Sequence, residues 1–241
     1  MPHLAPWQWL LGTFCAFMIG VAKTGAPGVG TMVAPLMVLM VGDARMATAW
    51  ALPVLVTADV FAVVYWRRHA EVHQLFSLIP WVLAGIAGGA LAFSLDEQII
   101  RRVIGVLIFG MVALYLWRRF SPTPQVAGNP GFYGICTGFA STVANAAGPV
   151  MSLYLLSKKL PKEKFVATGA WFFFAMNLLK APVYAWYDLY SRASLMFAVL
   201  MVPAVLVGAM AGQWLVRNVT QEVFEVAVVA LTAVSCLFLF R

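Results

Sequence analysis

Charge is what this chain has least of. Of its 241 residues only 10% are Asp, Glu, Lys or Arg, less than half of the ~25% usual in a soluble globular domain. With 63% hydrophobic residues and a mean hydropathy of +0.88, the chain cannot dress a surface for water. That excludes a soluble enzyme, a disordered chain and a disulfide-rich secreted domain. Cysteine is equally sparse: Cys15, Cys136 and Cys236 all lie in apolar runs, with no CxxC or metal-ligand spacing. They read as small buried hydrophobes. Histidine is missing from every apolar run, which removes the base an intramembrane hydrolase needs. The net charge of +7 comes from short Lys/Arg clusters between apolar runs, not from a basic face with interleaved aromatics. Nucleic acid is therefore not the partner. The runs are continuous and not alternating, which disfavours a β-barrel. The first twenty residues lack a basic leader and a small-residue cleavage site, so they read as mature chain.

What is present is an all-α polytopic membrane protein. Six runs reach the roughly 20 residues a spanning helix needs: Met46–Trp66, Leu75–Leu95, Ile99–Trp117, Phe165–Tyr187, Leu195–Val216 and Val223–Phe240. Two further stretches are interrupted. Trp7–Val41 carries Lys23-Thr24-Gly25-Ala26-Pro27-Gly28-Val29-Gly30 at its middle, and Gly131–Leu156 carries Ser141-Thr142-Val143-Ala144-Asn145-Ala146-Ala147-Gly148-Pro149. Glycine and proline at this density break a helix, and polar groups at depth need protein or water around them.

The two halves, residues 1–125 and 126–241, match each other. Met46-Ala47-Thr48-Ala49-Trp50 is similar to Ala167-Thr168-Gly169-Ala170-Trp171, which places Asp59 on Lys180. Pro80, Gly85 and Gly89 fall on Pro203, Gly208 and Gly212, and Gly28 falls on Gly148. The near-constant offset predicts an internal repeat. Charge decides its orientation. Eight simple crossings would put six basic loop residues inside and eight outside; re-entrant broken elements give nine inside and five outside, the sign that membrane topology favours. Each repeat is then a broken re-entrant hairpin plus three transmembrane helices. The odd crossing number makes the repeats inverted and leaves both termini periplasmic. Inverted repeats with broken helices are the pattern of secondary transporters, which work by alternating access.

Two cations lie within apolar stretches, Lys23 and Lys180, where charge is costly and marks a function or a partner. Each break also opens a short half-helix, near Gly28–Thr31 and Gly148–Met151, whose free N–H groups suit an anion. Gly25, Gly28, Gly30 and Gly148 would let a ligand approach the backbone closely. Thr24, Thr31, Ser141, Thr142, Asn145 and Asn177 would supply hydrogen bonds. A small anion is the expected substrate, since a cation would need carboxylates. The one carboxylate in mid-span, Asp59, either pairs with Lys180 or acts as a coupling or gating group that takes up protons. Other patterns carry no chemistry. Gly25–Thr31 has the spacing of a phosphate-binding loop without its lysine, and His69 and His73 lack a third metal ligand. No cofactor or metal is implied.

Gly25-Ala26-Pro27-Gly28-Val29-Gly30-Thr31-Met32-Val33-Ala34-Pro35 and Ala144-Asn145-Ala146-Ala147-Gly148-Pro149 together resemble the sulfite exporter TauE/SafE family of membrane transporters. The likeness covers the whole chain, though Thr31 stands where the family is richer in glycine. The resemblance implies movement of sulfite or sulfur-containing organic anions across the bacterial inner membrane, with the lipid bilayer as the other partner. A passive anion channel and a non-transporting accessory subunit are the alternatives. The anion, the direction, protons as coupling ion and assembly into an oligomer are left open.

Overall fold

A computed structural model of the chain describes residues 4–91, 106, 109–110, 112–113, 129–144, 147–186 and 188–239. All regular structure among the described residues is helical. The helices are α1 (Pro6–Thr24), α2 (Val33–Val41), α3 (Ala44–Trp66), α4 (His73–Phe76), α5 (Ile79–Leu91), α6 (Pro130–Ala144), α7 (Ala147–Ser157), α8 (Lys162–Trp186), α9 (Arg192–Asn218) and α10 (Gln221–Leu239). Among the described residues three are long and apolar enough to cross a membrane: α3 from Met46, α8 and α9. These match three of the six expected spans. A fourth, Leu75–Leu95, is described to Leu91 and is divided between α4 and α5 by a turn at Ser77–Leu78. Most of Ile99–Trp117 lies outside the described residues. Val223–Phe240 falls on α10.

Local chemistry sets the ends. Pro6 opens α1, where its missing N–H costs nothing. Gly42, at φ +85°, closes α2 in the left-handed conformation. Asp43 then caps α3 by accepting from Met46 N at 2.8 Å. Ser191 and Ser194 cap α9 reciprocally.

Both interrupted stretches fold back as hairpins. α1 ends at Thr24, and the chain turns through Gly28, at φ +108°, where an L side chain would be strained. A single 3-10 turn at Val29–Met32 then leads into α2. Gln8 at the start of α1 donates to Met40 O near the end of α2 at 2.7 Å. The stretch therefore begins and finishes at one level. In the second stretch α6 and α7 pack together, and Tyr133 near the start of α6 meets Tyr154 near the end of α7 at 5.5 Å between ring centroids. At ~1.5 Å per residue, α2 and α7 are far shorter than the ~30 Å hydrocarbon layer.

The chain divides into two compact units, Met1–Ala70 with Val166–Val219, and Glu71–Phe165 with Thr220–Arg241. In the first, α1 lies along α9 and α3 packs on both. Its core gathers Cys15, Ile19, Met37, Met40, Trp50, Val54, Phe197, Met201 and Val205. In the second, α5 lies along α6, and α7 packs on α6 and α10.

The α1–α9 and α5–α6 pairs touch through glycine in the same way. A Cβ on Gly20 would meet Val205 O and Ala209 N; one on Gly138 would meet Val82 O and Ile86 N. A Cβ on Gly208 would strike Phe17 O, and one on Gly85 would strike Ile135 O. Backbones this close gain dispersion and polar contact that larger residues would forbid. The second hairpin sits at a shift of 118 residues from the first before the break (Phe17 to Ile135, Gly20 to Gly138), whereas Gly28 and Gly148 differ by 120. The second stretch thus carries two more residues between its corresponding glycines.

Candidate functional site

The hairpin bend in the first unit brings Lys23, on the last turn of α1, beside the middle of α3. Lys23 Nζ lies 2.7 Å from Asp59 Oδ1. The carboxylate is fully buried, while the lysine side chain keeps 11% of its surface. Asn177 of α8 donates to Asp59 Oδ2 at 2.6 Å. The face of Phe173 lies 4.5 Å from the same ammonium, a cation–π contact that offsets part of the lost hydration. Lys180, one turn beyond Asn177, lies within electrostatic reach of both Lys23 and Asp59. Two cations and one anion thus share a desolvated region of α1, α3 and α8.

This differs from the sequence expectation at one point. The repeat equivalence set Lys180 against Asp59, but the direct ion pair is made by Lys23. The reason is the α1–α9 seam, which holds the last turn of α1 over α3. Thr24 Oγ1 lies 2.8 Å from Ala209 O and 2.9 Å from Gly20 O, and Trp66 Nε1 donates to Thr24 O at 3.2 Å. The carbonyl left over at the end of α1 is thereby satisfied.

Several expected anion donors are used elsewhere. The one Thr24 hydroxyl proton is spent on backbone carbonyls, so Thr24 is a packing residue here. Gly25 is pressed against the backbone of Gly212, where a Cβ would clash, so its smallness serves helix packing. Asn177 gives an amide N–H to Asp59. Gly30 approaches the Ala22 side chain, 3.3 Å from where its own Cβ would lie. Gly28 is buried at the bend, and Thr31 lies in the 3-10 turn.

The second unit holds the other set. Ser141 is buried and its hydroxyl has no hydrogen-bond partner among the described residues. At the 118-residue shift it stands where Lys23 stands in the first hairpin. Thr142 donates to Gly138 O at 2.9 Å, as Thr24 meets Gly20 O. Gly148 falls in the first turn of α7, which begins at Ala147. Asn145 lies outside the described residues.

Trp66 and Phe173 were not singled out from the sequence. Nothing in a run of aromatics marks the one whose ring meets an ammonium. Cys15 and Cys136 are buried free thiols, as their apolar surroundings suggested. His69 is exposed and its ring lies edge-on to Trp66.

Helices long and apolar enough to cross a membrane, together with two hairpins, are the build of a polytopic helical membrane protein. The family model of the sulfite exporter TauE/SafE matches residues 12–239, and the chain belongs to that family. No curated protein and no solved structure matches it.

Proposed function

We infer that this protein is a secondary transporter of small anions, exporting sulfite or a small sulfur-containing organic anion across the bacterial inner membrane. The observation that carries this reading is the Lys23–Asp59–Lys180 cluster beside a helix break, with Asp59 fully buried and both lysines half-buried. Two cations against one carboxylate leave an excess positive charge, which suits an anion and repels a cation. Membership of the sulfite exporter family supplies the sulfur chemistry. The protein acts without covalent catalysis in this reading: it binds and moves its substrate and does not transform it.

The halves 1–125 and 126–241 serve as two inverted repeats, which supports alternating access. Two observations favour the repeat. The glycine contacts of α1 with α9 recur between α6 and α5 at corresponding residues. Both broken stretches close as hairpins, which supports a reading with three full spans per half and both termini periplasmic. Asp59 is the group that couples or gates.

Saturable sulfite flux in proteoliposomes tests this. Lys180→Ala should raise the half-saturating concentration about 10- to 100-fold, the worth of one charge-assisted contact, while the protein stays folded. Unchanged flux removes Lys180 from the site. Flux that rises linearly with driving force, without saturation, would instead favour a passive channel.

A further inference from the structure

We propose that Asp59 is a built-in counter-anion, exchanged for the substrate at Lys23, and that each exchange places one proton on Asp59. This rests on the anion-transport reading above and adds to it how the charge is balanced.

The geometry has three parts. Asp59 is wholly buried and both of its oxygens are engaged, Oδ1 by Lys23 and Oδ2 by Asn177. Lys23 is the partner that retains exposure, at the end of α1 where the chain bends. An anion arriving there meets an ammonium already neutralised from inside. To bind Lys23 it must displace the carboxylate, and a buried carboxylate stripped of its cation is strongly disfavoured. Taking up a proton from solvent removes that charge. The Lys23–Asp59 ion pair breaks, a Lys23–substrate ion pair forms, and the carboxyl O–H forms on Asp59. Charge in the buried region changes only by that of the anion plus one proton.

Asn177 fits both states. Its amide nitrogen donates to the carboxylate, and its amide oxygen accepts from a carboxyl O–H after a rotation of the side chain. A lysine or arginine at that place could serve only the ionised form. The charged groups facing Asp59 are Lys23 from α1 and Lys180 from α8. α2 has no ionisable residue. α9 carries only Arg192 and Arg217, the latter placed over the Tyr65 ring at 5.4 Å. Lys180 keeps the site attractive to anions throughout the exchange.

The test is calorimetry of sulfite binding to the full-length protein at pH 8, in buffers of different ionisation heat, which counts protons taken up per anion. Wild type should take up about one more proton than Asp59→Asn, and its affinity should fall about tenfold more steeply per pH unit than that of the variant. Sulfite's own titration is common to both proteins and cancels. Asp59→Asn should also bind more tightly at high pH, because the internal competitor is gone. The double variant Lys23→Gln/Asp59→Asn leaves no charge of the pair unmatched and guards against misfolding of the single one; it should fold and lose the high-affinity site. Equal proton counts in wild type and Asp59→Asn overturn the exchange while leaving anion binding intact. Equal pH dependence of wild type and the double variant, with binding retained, does so as well. Absence of saturable sulfite binding by wild type overturns the transport reading and this one with it.

Discussion

Gly208 lies against the carbonyl of Phe17 so closely that a Cβ on the glycine would collide with it. The neighbour is backbone and cannot rotate away. Gly208→Ala should therefore lower stability by about 1–3 kcal/mol or more, the range for overfilling a packed contact. Gly85→Ala, which meets Ile135 O, should do the same. No described residue comes within 4 Å of a Cβ built on Gly88, so Gly88→Ala should be neutral or gain up to about 1 kcal/mol from helix propensity. Thermal unfolding in detergent ranks the three, and a Gly208→Ala protein as stable as Gly88→Ala would contradict the seam.

Lys23 and Asp59 should behave as a coupled pair. Lys23→Met leaves a buried carboxylate without its cation and should cost about 3–5 kcal/mol. Combining it with Asp59→Asn should recover most of that loss, since neither group then carries an unmatched charge. The readout is a double-mutant cycle on denaturation midpoints. Additive effects would show that the ion pair contributes nothing to the fold.

Trp66→Phe keeps the ring and removes the N–H that reaches Thr24 O at 3.2 Å. The carbonyl at the end of α1 is then unsatisfied in a buried setting, at about 1–3 kcal/mol. The bend beside Lys23 should loosen with it. Faster amide exchange at Gly25, Ala26 and Gly28, against an unchanged rate in α9, is the expected signature.

Cysteines introduced at Arg68 and at Lys162 should both react with an impermeant thiol reagent from the cytoplasmic side only. The prediction follows from the hairpin closures at Gln8–Met40 and Tyr133–Tyr154 together with the basic-residue distribution. Labelling of the two positions from opposite sides would require one broken element to cross the membrane fully.

Much of the framework could be read from residue order alone. The breaks at Gly25–Gly28 and near Gly148 follow from glycine and proline, which act within a few residues. The pairing Gly85/Gly208 was visible as a shift of 123. What residue order did not reveal was which faces meet. A helix such as α3 is apolar on every side, so no stripe tells how Asp59 is aimed. Its partner depended on α1 being held by the remote Gly208–Gly212 segment of α9. The threonines at 24 and 142 looked like ligand donors because hydroxyls in an apolar run are conspicuous. Their protons go to carbonyls four residues back, a use that spacing cannot distinguish from an open donor.

The pairing of α1 with α9 also sets a timetable for biosynthesis. Thr24 and Ala209 are 185 residues apart, and at ~5–20 residues per second the ribosome needs roughly 10–40 s to pass from one to the other. For that interval the first helix has left the ribosome without the surface its glycines were shaped to meet, and Lys23 waits at the end of a helix not yet anchored. Asp59 is made only 36 residues after Lys23, yet the seam that carries Lys23 over α3 is complete only once α9 has been made. The ion pair is therefore sealed late in synthesis.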